Sequence, residues 1–401
     1  MARKYTNMEL MDKVPVTRAI LTLALPTILS QTVNLMYSLF SSYYLGLMGQ
    51  TAAYQQAAVT LSMPITMVVQ AVGNIFALGT PPYMSRKLGA KDYDAARTAS
   101  SVSFWSALAC VVFTTLLFFI IREPLLGWIG TDANTIGPTR TYLNITTGLS
   151  CFSIMMIALS GTLRSEGATI HSMIGIGSGA LLNIGVTPLF IFVFDMGIAG
   201  AAWATVLCNA VSFCYMVQLF LRKKTVLSIS PKYFKFSWPV YRDILKFGLP
   251  AAANNVLTSF TQILANNTAQ SIGGPELVAA YGIGNRVYQI AYMVTFGFCS
   301  GYQPFAAYNY GAKNYKRMFG AFKVSMIFST ILGVILCLLF VLIPGGIVGI
   351  FSDNPDVIVN GTRLLRMLGI SVPFLGCMNT FLYTLQGLNR PGRSLVISVG
   401  R

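Results

Sequence analysis

The chain of 401 residues has a single histidine, His171, only 12 acidic residues, and 10% charged residues in all. Soluble domains carry about 25% charged residues, so a water-facing surface of the usual kind cannot be built from it. Seven cysteines are scattered with no Cys-x-x-Cys spacing. With one histidine they exclude a zinc-type cage and read as small buried thiols, not a disulfide framework. The acids lie in connectors or within about a turn of the ends of apolar runs, and His171 reads as a surface residue of one connector. An enzyme would need clustered acids, or a nucleophile beside its base. Neither is present, and the chain is read as no enzyme.

What is abundant is apolar: 54% of residues are hydrophobic and the mean hydropathy is +0.63. Runs of membrane-spanning length, about 20 residues, cover 16–45, 51–80, 95–121, 135–163, 172–194 and 198–221. Four more cover 244–272, 276–305, 318–343 and 357–385, and an eleventh opens near Ser394. In lipid such segments must be helices, because only a helix satisfies its own backbone. The first 18 residues are polar and charged, which argues against a cleavable signal peptide.

The net charge of +16 could suggest nucleic acid, but most of the 28 Lys and Arg alternate between connectors. They sit before the first run and after the second, fourth, sixth, eighth and tenth, whereas the other connectors carry mainly acids such as Asp132, Asp195 and Asp353. By the positive-inside rule the N-terminus and the basic connector 222–242 are expected in the cytoplasm, with a multi-pass chain in the plasma membrane and no nucleic-acid partner.

The sequence also repeats itself. GTPPYMSRKLGAKDY (Gly79–Tyr93) returns as GYQPFAAYNYGAKNY (Gly301–Tyr315) at an offset of 222 residues, which also relates Gly127 to Gly349 and Leu163 to Leu385. Each copy holds six spans, so the copies share one orientation. The expected architecture is an all-α polytopic membrane protein of two parallel six-helix lobes with a substrate path between them. The lobes would be residues 1–221 and 243–401, joined by the connector 222–242. The offset places the partner of Leu221 beyond residue 401, so the second lobe is expected to be cut short in its fifth helix, leaving ten full spans and a partial eleventh.

Several stretches resemble the multidrug and toxin extrusion (MATE) transporters. They include LALPTILSQTVNLMYSLFSSYYLGLMG (Leu23–Gly49), GNIFALGTPPYMSRKLGAKDYDAA (Gly73–Ala96) and LRSEGA (Leu163–Ala168). NIGVTPLFIFVFDMGIAGAAWAT (Asn183–Thr205) and GYQPFAAYNYGAKNYKR (Gly301–Arg317) fit the same pattern. The resemblance implies a two-lobed exporter of amphipathic and cationic compounds, driven by antiport of Na⁺ or H⁺ and needing no other cofactor. Many bacterial members carry an aspartate in helix one and another in helix five. The matching positions here are Ser41 and Thr187, while Asn183 and Thr205 match the accompanying amide and hydroxyl. The ion site the resemblance implies keeps its neutral oxygens and loses both carboxylates, and groups of that kind do not titrate near neutral pH.

Polar side chains inside apolar runs should face other helices or water. Gln31 and Asn34 in the first run, and Asn254, Asn255 and Gln262 in the seventh, are the candidate cavity residues, with Arg286 the one cation placed well inside a run. Pro26 and Pro250, nearly matched by the repeat, each free a backbone carbonyl and are candidate hinges. The leading function is a secondary active exporter working by alternating access, as a monomer in the bilayer. The alternatives are a flippase for a lipid-linked saccharide and a non-functional truncated remnant.

Overall fold

The structure, a computed structural model, satisfies the demand for self-bonded backbone with helices alone, and no strand occurs among the described residues. It describes residues 7–48, 52–129, 134–351 and 355–399, and a few side chains inside helices, including those of Asn254, Asn255 and Gln262, also lie outside the described set. A short α1 (Asn7–Asp12) precedes α2 (Val16–Gly46) and α3 (Ala52–Gly79). Then follow α4 (Pro81–Gly89), α5 (Tyr93–Trp128), α6 (Ile136–Gly148), α7 (Ser150–Ser165), α8 (Thr169–Pro188) and α9 (Gly197–Leu221). The second half holds α10 (Trp238–Gly311), α11 (Tyr315–Leu342), α12 (Pro344–Gly349), α13 (Pro355–Gly387) and α14 (Pro391–Val399).

Seven of these helices are long and apolar enough to cross a membrane, or eight if α6 and α7, bent by 46° at their junction, form one span. The long α10 is not among them. Its 74 residues would reach about 110 Å if straight, yet Arg86 pairs with Asp243 near one end while its carbonyl lies against Gly311 at the other. The element therefore doubles back, and its two arms correspond to the apolar runs 244–272 and 276–305. Asn, Gln and Gly dilute its hydropathy, which is why composition alone passes over it.

Two connectors differ from expectation. Residues 81–89, which lie between the apolar runs 51–80 and 95–121, form the amphipathic α4, which opens on Pro81 and Pro82 where a missing N–H costs nothing. For the same reason Pro239 opens α10 instead of ending the connector, so the helix begins at Trp238. The rest of that connector is tied to α5. Arg97 Nε donates to Val226 O at 3.1 Å, Ser101 Oγ to Ser230 O at 2.8 Å, and Trp105 Nε1 to Ile229 O at 3.1 Å.

The repeat persists in the backbone. Asp92 caps α5 by accepting from Ala95 N–H at 3.2 Å, and Asn314, 222 residues on, caps α11 by accepting from Arg317 N–H at 3.2 Å. The residues before the caps, Lys91 and Lys313, share the left-handed conformation with φ of 60° and 57°. Gly167 and Asn389, another pair at the same offset, do likewise with φ of 80° and 57°.

The connectors that carry the basic clusters gather at one end of the molecule. There Ser85 Oγ donates to Ser165 O at 2.7 Å, Arg317 Nε to Met11 O at 3.0 Å, and Val226 N–H to Glu166 at 3.0 Å. At this basic end α10 packs against α2, α3 and α4, backbone to backbone. A Cβ on Gly89 would fall on the carbonyl of Tyr308, and one on Gly311 would fall on the carbonyl of Arg86. Gly89 and Gly311 are repeat mates, as are Arg86 and Tyr308, so the two contacts are one contact seen twice about a pseudo-two-fold axis. Higher up, a Cβ on Gly301 would stand 2.6 Å from Ala24 Cα, and one on Gly297 would stand 2.9 Å from Ile28 Cα. The Gly-x-x-x-Gly spacing thus lets α2 and α10 touch as packed membrane helices do. The core at this end joins Ile20, Leu23 and Ala24 to Phe298, Tyr302 and Phe305, all buried. At the opposite end large apolar residues of the same helices, such as Tyr43 and Ile272, are exposed.

Gly311→Ala is expected to force the halves apart at the basic end and to lower stability by about 1–3 kcal/mol, the usual cost of overpacking. Thermal unfolding of the detergent-solubilised protein checks it, with Gly127→Ala, where nothing lies within 4 Å of the added carbon, as the neutral control.

Candidate functional site

Helices that meet at one end and part at the other enclose a cavity of about 580 Å³, within the size range of small-molecule sites. The first half contributes α2, α3, α6, α7, α8 and α9, and the second contributes α10 and α13. Its polar lining is dominated by neutral groups. Gln31, Asn34, Gln70, Asn74 and Asn209 face it from one half, and Gln289, Asn379 and Gln386 from the other. Ile154, Ile157, Met156, Met293, Phe296 and Leu382 supply apolar surface between them. Among the described lining residues there is no Asp or Glu, and the one charged group is Arg164.

Below the cavity the basic end is latched. Arg86 Nη2 pairs with Asp243 Oδ2 at 2.7 Å, with the two side chains 11% and 13% exposed. Arg86 Nη1 also donates to the carbonyl of Gln386 at 3.3 Å, so one guanidinium ties α4 to both α10 and α13. Gln303 donates to Gln386 Oε1 at 2.6 Å and Tyr302 meets Thr384 at 2.9 Å. Thr27, one residue after Pro26, donates across the halves to Gly297 O at 2.6 Å.

The residues marked out by sequence fall in several places. Gln31 and Asn34 line the cavity, as does Pro250, while Pro26 is buried within α2. The side chains of Asn254, Asn255 and Gln262 lie outside the described residues. Arg286 is exposed and does not line the cavity, although it lies one turn from the lining residue Gln289 on α10. That corrects the expectation for it. The cavity's cation is Arg164 in the last turn of α7, which sequence reading had counted with the connector charges. His171 also departs from expectation, being half-buried with Nδ1 3.1 Å from the hydroxyl of Tyr215.

Three of the four positions matched to an ion site are hydrogen-bonded to one another or to their neighbours. Thr187 Oγ1 donates to Asn183 Oδ1 one turn earlier on α8, and both residues are buried. Thr205 of α9 faces the cavity, donates to Ala201 O at 2.9 Å, and lies 3.1 Å from the hydroxyl of Tyr37 on α2. Ser41 is half-buried on α2. The donors on hand are hydroxyl and amide oxygens, and no group of three His, Cys, Asp or Glu that could hold a metal ion occurs among the described residues.

A helical bundle with parallel repeats, sealed at one end over a wall of neutral polar groups, has the form of a membrane transporter. The comparisons agree. The MatE family profile matches residues 26–189 and 250–401, and the chain belongs to this family of multidrug efflux transporters. It is therefore a multi-pass membrane protein. It is 29% identical over 387 residues to the multidrug export protein MepA of Staphylococcus saprophyticus, covering 96% of this chain and 84% of that protein. A MepA from Staphylococcus aureus is 28% identical over 386 residues, with the same coverage. In fold it is similar to a multidrug resistance MATE family transporter solved in its outward-facing conformation. The TM-score is 0.92 at 20% identity, covering 99% of this chain and 88% of that one.

Breaking the latch tests its role. Removing one partner of a buried ion pair leaves the other charge uncompensated at a cost of about 3–5 kcal/mol. Asp243→Asn is therefore expected to favour separation at the basic end. A cysteine placed at Gln386 in a background without the seven native thiols should then react with a maleimide added from that end, and Asp243→Glu should restore protection.

Proposed function

We propose that the chain is a secondary active exporter of amphipathic compounds. It would alternate between the state described above, sealed at the basic end, and one sealed at the opposite end. The observation that carries this reading is the cavity itself, bounded by both halves and latched beneath by Arg86 and Asp243. The basic end is cytoplasmic in this reading, because most connector Lys and Arg gather there, and the membrane is the plasma membrane. The working unit is a monomer, since one chain supplies both walls. Pro26 and Pro250 serve as hinges: each lacks the N–H that would bond the carbonyl four residues earlier, and both stand where the halves touch or face each other.

Export against a gradient needs a second flow, and cation antiport supplies it. Ser41, Asn183, Thr187 and Thr205 offer neutral oxygens, which coordinate Na⁺ but do not exchange protons near neutral pH. Sodium is thus the coupling ion this set favours. A flippase acting on a lipid-linked saccharide is the second reading, favoured by the many amides of the lining, which suit sugar hydroxyls, and by Arg164, which suits a phosphate.

In proteoliposomes, export of a fluorescent amphipath such as ethidium or a dansyl fatty acid is expected to follow an imposed Na⁺ gradient and to release no protons. Proton release in step with dye movement would overturn sodium coupling. Failure to move any dye under either gradient, while a lipid-linked saccharide is flipped, would favour the second reading.

A further inference from the structure

Arg164 is half-buried at the floor of the cavity, and its guanidinium makes one hydrogen bond, from Nη1 to Ser160 Oγ at 3.0 Å. Ser160 in turn lies 2.8 Å from Ser172 Oγ, which fixes the side chain on the wall between α7 and α8. A guanidinium has five N–H donors, so most of its capacity is unspent. No salt bridge reaches it among the described residues. The two acids near this end are engaged elsewhere, Glu166 with Val226 N–H at 3.0 Å and Asp243 with Arg86 at 2.7 Å.

A second group points the same way from the other half. Asn379 of α13 lines the cavity, is 1% exposed, and has an amide nitrogen without a hydrogen-bond partner. Buried donors without acceptors are rare and costly. Here one such donor and a guanidinium with donors to spare stand on the two walls of one cavity with no carboxylate among its described lining residues. Ionisable groups at membrane depth are expensive and mark substrate pathways.

We propose that Arg164 is the head-group subsite of the cavity and takes an amphipath with a single anionic head, a carboxylate or a phosphate. Asn379 donates from the opposite wall, and the apolar body lies along Ile157, Met293 and Phe296. Guanidinium is the side chain whose planar fork matches both anions. This rests on the cavity being the transport site, and it adds anionic head groups at the floor to the cationic substrates that the family resemblance implies.

The test uses three probes with one body: 11-(dansylamino)undecanoate, its carboxamide, and the matching trimethylammonium compound. Binding is measured on the full chain in phosphatidylcholine nanodiscs, as fluorescence above that of empty nanodiscs. The carboxylate is expected to bind roughly tenfold tighter than the trimethylammonium compound. Arg164→Gln should abolish that preference, and Arg164→Lys should keep part of it. An arm without variants guards against misfolding: on the wild-type chain, laurate and dodecyl phosphate should displace the probe at roughly tenfold lower concentration than dodecyltrimethylammonium. If phosphatidylglycerol in the nanodisc also displaces the probe, the anion is supplied by a lipid headgroup. If it does not, a free amphipath is the source, and both satisfy the assignment. Equal binding of the three probes, displacement by the cationic detergent alone, or a preference that survives Arg164→Gln overturns it. Ethidium export by a chain that shows no head-group preference would overturn the anion subsite alone. Loss of export for ethidium and all three probes would instead overturn the transport reading.

Discussion

The molecule depends on a contact in which two helices meet with nothing between their backbones. At Gly89 and Gly311 the would-be Cβ positions are already taken by carbonyls of the other half, so this approach exists only because both residues are glycine. Rigid contact at one end has a geometric consequence. Helices of spanning length that touch there diverge toward the other end, and the space between them becomes the cavity. The Arg86–Asp243 pair sits on the same seam. A buried pair is weak support for stability as such, since apolar replacements often do as well. Its effect falls on the choice of conformer, because both charges regain water when the seam opens and lose it when the seam closes.

The pseudo-two-fold arrangement explains how one sequence can supply two such conformers. The repeat relates Gly89 to Gly311 and Arg86 to Tyr308, so the seam is self-complementary, as in a symmetric dimer interface. Only one of the two mates is charged, however. The latch is therefore asymmetric on a symmetric seam, with Asp243 near the start of α10 and no counterpart acid at the offset of 222 in α2, where Leu21 stands.

The spans and the repeat were legible because lipid imposes them. A hydrophobic length and an offset of 222 residues are visible without knowing any contact, and the offset reaches down to single φ angles at Lys91 and Lys313. The site was legible only in part. Gln31 and Asn34 could be picked out as amides in an apolar run. Arg286 was expected at the cavity and is exposed, whereas Arg164 was counted with the connector charges and lines it, because depth along a run does not say which helices stand beside it. In the last turn of α7, a cation reads like a loop cation until α13 is packed opposite. Asn183 and Thr187 did carry a signal that went unread. Spaced i, i+4 on one helix, they are neighbours by geometry, and mutual hydrogen bonding follows. The two arms of α10 were legible as the runs 244–272 and 276–305, whereas their continuity as one helical element from Trp238 to Gly311 was not.

The lone guanidinium still has to be reconciled with a family that exports drugs of many shapes. At an effective dielectric of about 20, a second unit cation about 8 Å from Arg164 is disfavoured by roughly 2 kcal/mol. Burying about 100 Å² of apolar surface on Met293, Phe296 and their neighbours returns roughly 2.5 kcal/mol. The two effects are of one size, so charge at the floor does not act as an absolute filter. It orients: an anionic head is drawn to Arg164 and Asn379, whereas a cationic amphipath can occupy the same apolar wall only by turning its charge toward the open end. Selectivity for the head and tolerance for the body then come from different parts of one cavity, the first from a single fixed charge and the second from the compliance of methionine and the flat faces of its aromatic rings.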